Sequence, residues 1–332
     1  MPATEPAHRI SGFVDLQVNG GFGHDFTTNP ESIWEVATRL PEHGVTAFLP
    51  TIVSSPPKAV FAAFGVLAAG PPDGWVGAHP LGLHLEGPFL APERRGTHEA
   101  DLLAEPDLEL VERWIDAGPP RMVTLAPERP GAREAVGRLR AAGTIVALGH
   151  SACTAEAAGA AFEWGAAHVT HLFDGMSGLD HRHPGLAAAA LTHPTATVGL
   201  IGDGVHVHPT MLRLAHRILG HRRIALATDA VAALGAGDGS YRLGGLTVTV
   251  HDGVVRNESG DLAGGAASMP HLVRTMLAAT GAPSHEVLAM ATTTPARIVG
   301  FTPWTGDAVL LDGDFEVIST TIDHAVVYRR SP

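Results

Sequence analysis

The stretch RMVTLAPERPGAREAVGRLRAAGTIVALGHS, residues 121–151, predicts a strand, a helix and a second strand in succession. Its apolar runs, Met122–Leu125 and Ile145–Leu148, are short and continuous, as in strands that are buried on both faces of a parallel sheet. The amphipathic segment Ala132–Ala141 between them has the pattern of a covering helix. His150 follows the second strand, so this unit also delivers a polar side chain to the carboxyl end of the predicted sheet.

The same alternation continues over most of the chain. Short apolar runs predict eight strands, at residues 13–18, 45–49, 81–85, 122–125, 145–148, 168–170, 197–201 and 224–227. Amphipathic or alanine-rich segments lie between most of them. Eight such repeats predict an α/β fold of the closed (β/α)8, or TIM-barrel, class, whose active sites lie at the carboxyl ends of the strands.

The pattern changes after residue 229. Residues 246–255 contain two apolar runs around an Asp-Gly turn, which predicts a β-hairpin. Three more apolar runs after residue 307 predict antiparallel strands. We therefore predict a barrel over residues 11–300 with a hairpin insertion near 241–256, followed by a small β appendage over 301–332.

Composition limits the classes of partner. The net charge of −12 argues against nucleic-acid binding, because neutralising phosphates needs a basic face. No apolar run has the length that crosses a bilayer, and residues 1–8 are polar rather than an apolar-cored leader. The single cysteine, Cys153, excludes an intrachain disulfide and fits a reducing compartment. We expect a cytoplasmic protein with a small-molecule partner, and neither nucleic acid nor membrane.

Four polar residues stand at the ends of predicted strands, namely Glu86, His150, His171 and Asp229. Taken singly, each could be a capping or hydrogen-bonding residue with no chemical role. Together on one rim, a carboxylate and two imidazoles can hold a divalent metal with a position left for water, and a further carboxylate can move that water's proton. The set predicts the active site of a metal-dependent hydrolase.

A series of motifs carries a more specific resemblance. In chain order they are His84-Leu-Glu-Gly-Pro-Phe89, Gly96-Thr-His98, Gly149-His-Ser151, Thr170-His-Leu-Phe173, Gly202-Asp-Gly-Val-His206 and Thr228-Asp-Ala230. This ordered set resembles the N-acetylglucosamine-6-phosphate deacetylase family of the amidohydrolase superfamily, from about residue 11 to the carboxyl end. The resemblance implies an amidohydrolase-type TIM barrel that removes acetate from N-acetylglucosamine-6-phosphate to give glucosamine-6-phosphate.

The resemblance also implies roles for individual residues. Glu86, His150 and His171 match the family's metal ligands. Asp229 matches its catalytic aspartate, the general base and acid, and His98 matches the histidine that polarises the acetamide carbonyl.

Three further positions match substrate contacts of the family. His206 corresponds to a substrate-contacting histidine, and Arg94 falls where a basic residue approaches the sugar phosphate. Arg182 matches an arginine that completes the phosphate site across a dimer interface, which implies a homodimer. Both arginines could instead be solvated surface residues.

The end of the first strand bears on the number of metal ions. Many amidohydrolases have His-x-His there and hold two, whereas this chain has Gln17-Val18-Asn19, whose neutral amides are poor ligands for a transition metal. We expect one divalent ion. Zinc suits the Glu/His ligands best, and iron, manganese and cobalt remain open.

The chain departs from the family in the residues that follow His171. Asp174 and Gly175 stand where relatives usually have Asn-Ala, which contacts substrate near the phosphate. An ionised carboxylate there would repel a phosphate unless a cation offsets it. One alternative is therefore a deacetylase of an unphosphorylated or modified acetamido sugar, and another is a catalytically silent sugar-phosphate-binding relative.

Two other departures concern structure rather than substrate. Thr294 stands where relatives commonly have Asn. The barrel also begins almost at the amino terminus, whereas relatives have several strands before it. We therefore expect an appendage built from the carboxyl-terminal strands alone, which leaves open a reduced sheet, exposed edges or a misassigned start.

Overall fold

The computed structural model describes residues 6–331 and contains eight parallel strands that neighbour one another in chain order. They are Phe13–Val18, Val45–Val53, His84–Glu86, Met122–Leu125, Ile145–Leu148, His168–Val169, Thr197–Leu200 and Ile224–Leu226. A short strand, His79–Pro80, also pairs with the second of them. The TIM-barrel prediction is confirmed. The third strand begins later than predicted, because Gly82 adopts a φ of +112° that interrupts the extended backbone.

Most of the helices cover the outside of the barrel, and the last of them packs against its amino-terminal end. The helices are Ile33–Arg39, Pro57–Ala69, Leu108–Ala117, Ala132–Ala141, Ala155–Trp164, Leu186–Thr192, Pro209–Leu219, Met269–Thr280, Ser284–Ala291 and Thr293–Ile298. The fifth of them shows how the sequence sets the bounds. The Thr154 hydroxyl accepts a hydrogen bond from the Ala157 N–H at the start, and Gly165 ends the helix in a left-handed conformation.

The barrel interior is apolar at its amino-terminal end. Strand residues and the end of the last helix fill it, including Val14, Leu16, Leu49, Met122, Ala225, Ala296 and Val299. Nearer the carboxyl end the interior becomes polar. There His84 Nε2 lies 2.7 Å from Thr124 Oγ1, which lies 2.7 Å from Thr170 Oγ1. These buried side chains link the third, fourth and sixth strands directly beneath the strand ends.

The barrel closes between the first and eighth strands chiefly through residues that follow the eighth strand. Val18 forms a parallel bridge with Ala230, and the Asn19 N–H donates to the Ala230 carbonyl at 2.7 Å. The Asp15 carboxylate accepts a hydrogen bond from the Thr228 hydroxyl at 2.5 Å. Asp15 therefore joins the two strands at the seam of the barrel, next to Asp229.

Three small antiparallel sheets accompany the barrel sheet within residues 6–331, and the smallest pairs Gly20–Gly21 with His24–Asp25. The predicted hairpin is part of a three-stranded sheet, Gly239–Leu243, Leu246–His251 and Val254–Asn257. The appendage is a four-stranded sheet of His8–Ile10, Ala308–Leu311, Val317–Ile322 and Ala325–Arg329. The division into domains at 11–300 and 301–332 stays a prediction.

The expectation that carboxyl-terminal strands alone form the appendage is wrong. His8–Ile10 pairs antiparallel with Ala308–Leu311, so a strand that precedes the barrel joins this sheet. The strand predicted near residue 315 begins only at Val317, because the Asp312 carboxylate accepts hydrogen bonds from two backbone N–H groups of the preceding turn. Both features depend on contacts that a local apolar run does not reveal.

No helix within residues 6–331 has the length and apolar character needed to cross a membrane. The expectation about a leader concerned residues 1–8, of which residues 1–5 lie outside the described part.

Candidate active site

The strands bring the four predicted strand-end residues to one rim. Glu86 is the last residue of the third strand, and the other three lie within three residues of a strand end. His150, His171 and Asp229 have φ values of +46°, +29° and +49°. A left-handed conformation is costly for residues other than glycine and is concentrated at functional sites. At these positions the chain turns sharply after each strand, and all four side chains line one cavity.

Three potential ligand atoms converge. Glu86 Oε1 lies 3.1 Å from His150 Nε2 and 2.9 Å from His171 Nε2, and the two nitrogens are 3.1 Å apart. All three residues are buried. One carboxylate and two imidazoles are a ligand set that binds a divalent transition metal while leaving a position open.

The hydrogen bond made by the other ring nitrogen of His150 shows whether this cluster suits a cation. Its Nδ1 lies 2.9 Å from the Arg94 carbonyl oxygen, which can only accept, so Nδ1 carries a proton. In the neutral ring, Nε2 then turns a lone pair toward the Glu86 carboxylate. Such a pair of acceptors is stable only with a proton or a metal ion between them, and an outer hydrogen bond to a carbonyl is typical of metal-bound histidine.

The charges of this cluster depend on one another. Although burial opposes ionisation, hydrogen bonds from His150 and His171 hold the pKa of Glu86 well below its usual value. Burial also opposes charge on His171, yet its hydrogen bond with Glu86 raises its pKa to about 9. A metal ion must displace this proton before it can bind.

Asp229 lies beside the cluster with its orientation fixed. Its Oδ1 accepts a hydrogen bond from Asn19 Nδ2 at 2.7 Å. Burial raises the pKa of Asp229 to about 6, and the negative charge of Glu86 adds to this shift. The Asn19 amide nitrogen at the end of the first strand therefore orients this carboxylate.

His98 approaches the cluster from the loop after the third strand. Its ring meets that of His150 edge to face, with 4.6 Å between centroids. Its Nδ1 lies 2.8 Å from Ser54 Oγ and also accepts the Ser54 backbone N–H at 3.3 Å. Burial, followed by the nearby charge of His150, lowers the pKa of His98 to about 3, so the ring is neutral at pH 7.

These residues surround a cavity of about 170 Å³, together with His206, Asp174 and Gly175. His206 Nδ1 lies 2.7 Å from Asp203 Oδ2, which fixes the ring. Burial raises the pKa of Asp174 to about 6. Within residues 6–331, Asp174 Oδ2 is buried and has no hydrogen-bond partner.

The two predicted phosphate-binding arginines are not part of this cavity in a single chain. Arg94 and Arg182 are both exposed, and neither lines it. Across the described part of the chain, no lysine or arginine is among the lining residues. Their proposed contacts with a phosphate stay a prediction.

Ser54 and Asn19 are contacts of the site that the sequence did not single out as site residues. The second strand was predicted to end at residue 49, but it continues to Val53 and so brings Ser54 to the rim. Pro50 interrupts the apolar run and hides the strand's true end. Asn19 was considered only as a poor metal ligand, and its role as a donor to Asp229 could not be inferred without the seam between the first and eighth strands.

Known proteins resemble this chain over nearly its whole length. The model of the Amidohydrolase family matches residues 10–307. An N-acetylgalactosamine-6-phosphate deacetylase of Escherichia coli O157:H7 is 39% identical over 291 residues, which cover 87% of this chain and 77% of that relative. The N-acetylglucosamine-6-phosphate deacetylase of Homo sapiens is 38% identical over 345 residues, which cover 96% of this chain and 83% of that relative.

A solved structure agrees in fold. The N-acetyl-D-glucosamine-6-phosphate deacetylase of Mycobacterium smegmatis, a mutant in complex with N-acetyl-D-glucosamine-6-phosphate, has a TM-score of 0.89 and 35% identity. The match covers 96% of this chain and 86% of that chain.

Proposed function

The chain belongs to the amidohydrolase family and to its N-acetylglucosamine-6-phosphate deacetylase branch, and we propose that it hydrolyses N-acetylglucosamine-6-phosphate to glucosamine-6-phosphate and acetate. One observation carries the proposal. Glu86, His150 and His171 converge within 3.1 Å of one another in a cavity that Asp229 and His98 also line.

Glu86, His150 and His171 would hold one divalent metal, with zinc as the best match to their oxygen and nitrogen donors. When bound, such an ion supplies Lewis acidity and lowers the pKa of a water ligand toward neutrality. His150 is prepared for this role by its hydrogen bond to the Arg94 carbonyl, which leaves Nε2 free to coordinate.

Asp229 would act as the general base and then as the general acid. Its carboxylate takes a proton from the attacking water and delivers it to the departing amine of the sugar. Burial raises the pKa of Asp229, which makes its carboxylate a stronger base than that of an exposed aspartate. Asn19 holds one oxygen at 2.7 Å and leaves the other for this exchange.

His98 would stabilise the charge that develops on the acetamide oxygen. Its ring is neutral and fixed by Ser54, so it can act as a hydrogen-bond donor to that oxygen in the tetrahedral transition state.

Recognition of the sugar phosphate would involve both the cavity and a second copy of the chain. His206, held by Asp203, faces the cavity and would contact the sugar, with Asp174 and Gly175 beside it. The cavity of one chain has no lining lysine or arginine within residues 6–331, so a permanently positive side chain for a phosphate would come from outside this lining. We propose a homodimer in which Arg182 of a second copy, together with Arg94, supplies that charge.

Asp174 favours a second candidate substrate. Its buried carboxylate oxygen, which has no partner in the described part of the chain, suits a group that donates a hydrogen bond, such as a sugar hydroxyl, better than it suits a phosphate. On this reading the chemistry is unchanged and the substrate is an unphosphorylated or modified acetamido sugar. For both candidate substrates we propose a cytoplasmic location for the protein, because its single cysteine fits a reducing compartment.

Acetate release separates these candidates. Matched N-acetylglucosamine, N-acetylgalactosamine and their 6-phosphates are incubated with the protein, and metal content is measured on the same sample. We expect the 6-phosphates to be turned over faster than the free sugars. Equal turnover would favour the second candidate, and no release from any of them would support a catalytically silent relative.

A further inference from the structure

Ser54 makes two hydrogen bonds to the same ring nitrogen of His98. It is buried and follows the second barrel strand directly. Its hydroxyl oxygen lies 2.8 Å from His98 Nδ1, and its backbone N–H points to that nitrogen at 3.3 Å. A backbone N–H can only donate, so Nδ1 must act as an acceptor. The hydroxyl, which can donate or accept, then donates as well.

The proton of the neutral His98 ring is therefore on Nε2. His98 lines the cavity and Ser54 does not, so Nδ1 is turned into the wall and Nε2 lies on the remaining side of the ring. We propose that Ser54 is a positioning residue that holds His98 in the Nε2–H tautomer and thereby presents an N–H donor to the acetamide oxygen. The catalytic part of this inference rests on the proposed deacetylase function, whereas the tautomer itself does not.

The absence of a side chain at Gly87 leaves room for the contact between Ser54 and His98. Gly87 follows the metal-binding carboxylate with a φ of +92°, and a Cβ atom there would lie 2.2 Å from Ser54 Oγ. The loop that bears the ring is also anchored, because Arg95 donates a hydrogen bond to the His98 carbonyl at 2.8 Å. The Ser54 hydroxyl, Gly87 and the His98 ring therefore pack against one another, and this packing restricts rotation of the serine and histidine side chains.

A second reading would make Ser54 a merely structural residue with no effect on the ring. It predicts that His98 exchanges between tautomers and that loss of the hydroxyl changes only stability. The neighbouring Ser55 is a matched control, because its hydroxyl is also buried but has no partner within residues 6–331. Ser54→Ala and Ser55→Ala therefore remove the same atom from adjacent positions, and only the first removes a donor to His98.

The tautomer can be measured without substrate. In zinc-loaded protein labelled with ¹⁵N, long-range ¹H–¹⁵N correlation spectra at pH 7 distinguish Nε2–H from Nδ1–H rings, and a His98→Gln sample identifies the signals. We expect the Nε2–H form in the wild type and in Ser55→Ala. We expect a mixture of tautomers in Ser54→Ala and recovery of the Nε2–H form in Ser54→Thr. An Nδ1–H ring in the wild type, or an unchanged ring in Ser54→Ala, would overturn the proposal.

Kinetics test the catalytic part on the same samples. An oxyanion donor contributes on the order of 10²–10³ in kcat, and a donor that is only partly misplaced should cost roughly tenfold. Ser54→Ala should therefore lower kcat with KM and zinc content unchanged, and Ser54→Thr should restore it. A change confined to KM or to zinc content would contradict the role. If no variant releases acetate, the proposed function fails, while the spectra still decide whether Ser54 sets the tautomer.

Discussion

The two ends of the active-site cavity differ in how completely one chain builds them. At the metal end, Glu86, His150 and His171 meet within 3.1 Å, and a backbone carbonyl orients one of the rings. At the other end, Asp174 has a buried oxygen without a partner in the described residues, and none of those residues places a lysine or arginine in the lining. The proposed metal ligands and general base therefore come from a single chain, whereas the proposed phosphate site would need arginines from outside the lining of the cavity.

Removing a ligand at the metal end should have the largest effect. Glu86→Gln keeps the size of the side chain but removes the charge that binds a cation and pairs with both histidines. We expect zinc content to fall from about one per chain to near zero and acetate release to fall to background. Metal analysis and an acetate assay on one sample check this, and a variant that keeps its zinc would contradict the assignment of the ligands.

Asp229→Asn should preserve the metal end and remove proton transfer. The amide cannot take a proton from water, so we expect kcat to fall by about 10²–10⁴ with zinc content retained. His206→Asn, measured in parallel, should instead act mainly on KM. Activity close to wild type in Asp229→Asn would remove this residue from the mechanism.

Asp15, at the seam of the barrel beside Asp229, should make the free energy of unfolding depend on pH. Burial raises the pKa of Asp15 to about 7, above its value in the unfolded chain. A raised carboxyl pKa stabilises the fold while the group is protonated, and this contribution is lost as pH rises from about 4 to about 7. Over that range, the free energy of unfolding of Asp15→Asn should fall less steeply than that of the wild type.

This difference should amount to about 2–4 kcal/mol across the window, because one pKa unit corresponds to about 1.4 kcal/mol. Urea unfolding at several pH values measures it. Asp116→Asn, at an exposed position of the third helix, is the matched control and should follow the wild type. Parallel curves for Asp15→Asn and wild type would show that Asp15 is ionised in the fold.

The smallest expected effect is at the substrate end. Asp174→Asn removes a negative charge beside the sugar and restores the residue type usual in the family. We expect kcat/KM for the 6-phosphate to rise roughly tenfold relative to the free sugar, about 1.4 kcal/mol of differential binding. A fall in that ratio would mean that the carboxylate helps to bind the phosphorylated substrate.

The metal end could be predicted from the sequence because it is built from local signals. Each ligand follows a short apolar run, and parallel strands deliver their carboxyl ends to one rim. The prediction placed Glu86, His150, His171 and Asp229 together, and the structure brings all four to one cavity. What could not be predicted was the left-handed backbone at three of them, since it results from the tight turns after the strands.

Contacts between distant segments account for what the sequence did not reveal. Ser54 was overlooked because Pro50 hid the continuation of the second strand to Val53. Asp15 lies within an apolar strand, and its partner Thr228 is more than two hundred residues away. The pairing of His8–Ile10 with Ala308–Leu311 spans almost the whole chain. No local pattern specifies such pairs.

Titration of metal-stripped protein with zinc tests whether Glu86, His150 and His171 form one catalytic metal site. Acetate release from N-acetylglucosamine-6-phosphate is followed as zinc is added. We expect no release without metal, a linear rise as zinc is added, and a plateau at one zinc ion per chain. Full activity in the stripped protein, or a plateau only at two ions per chain, would contradict a single site formed by Glu86, His150 and His171.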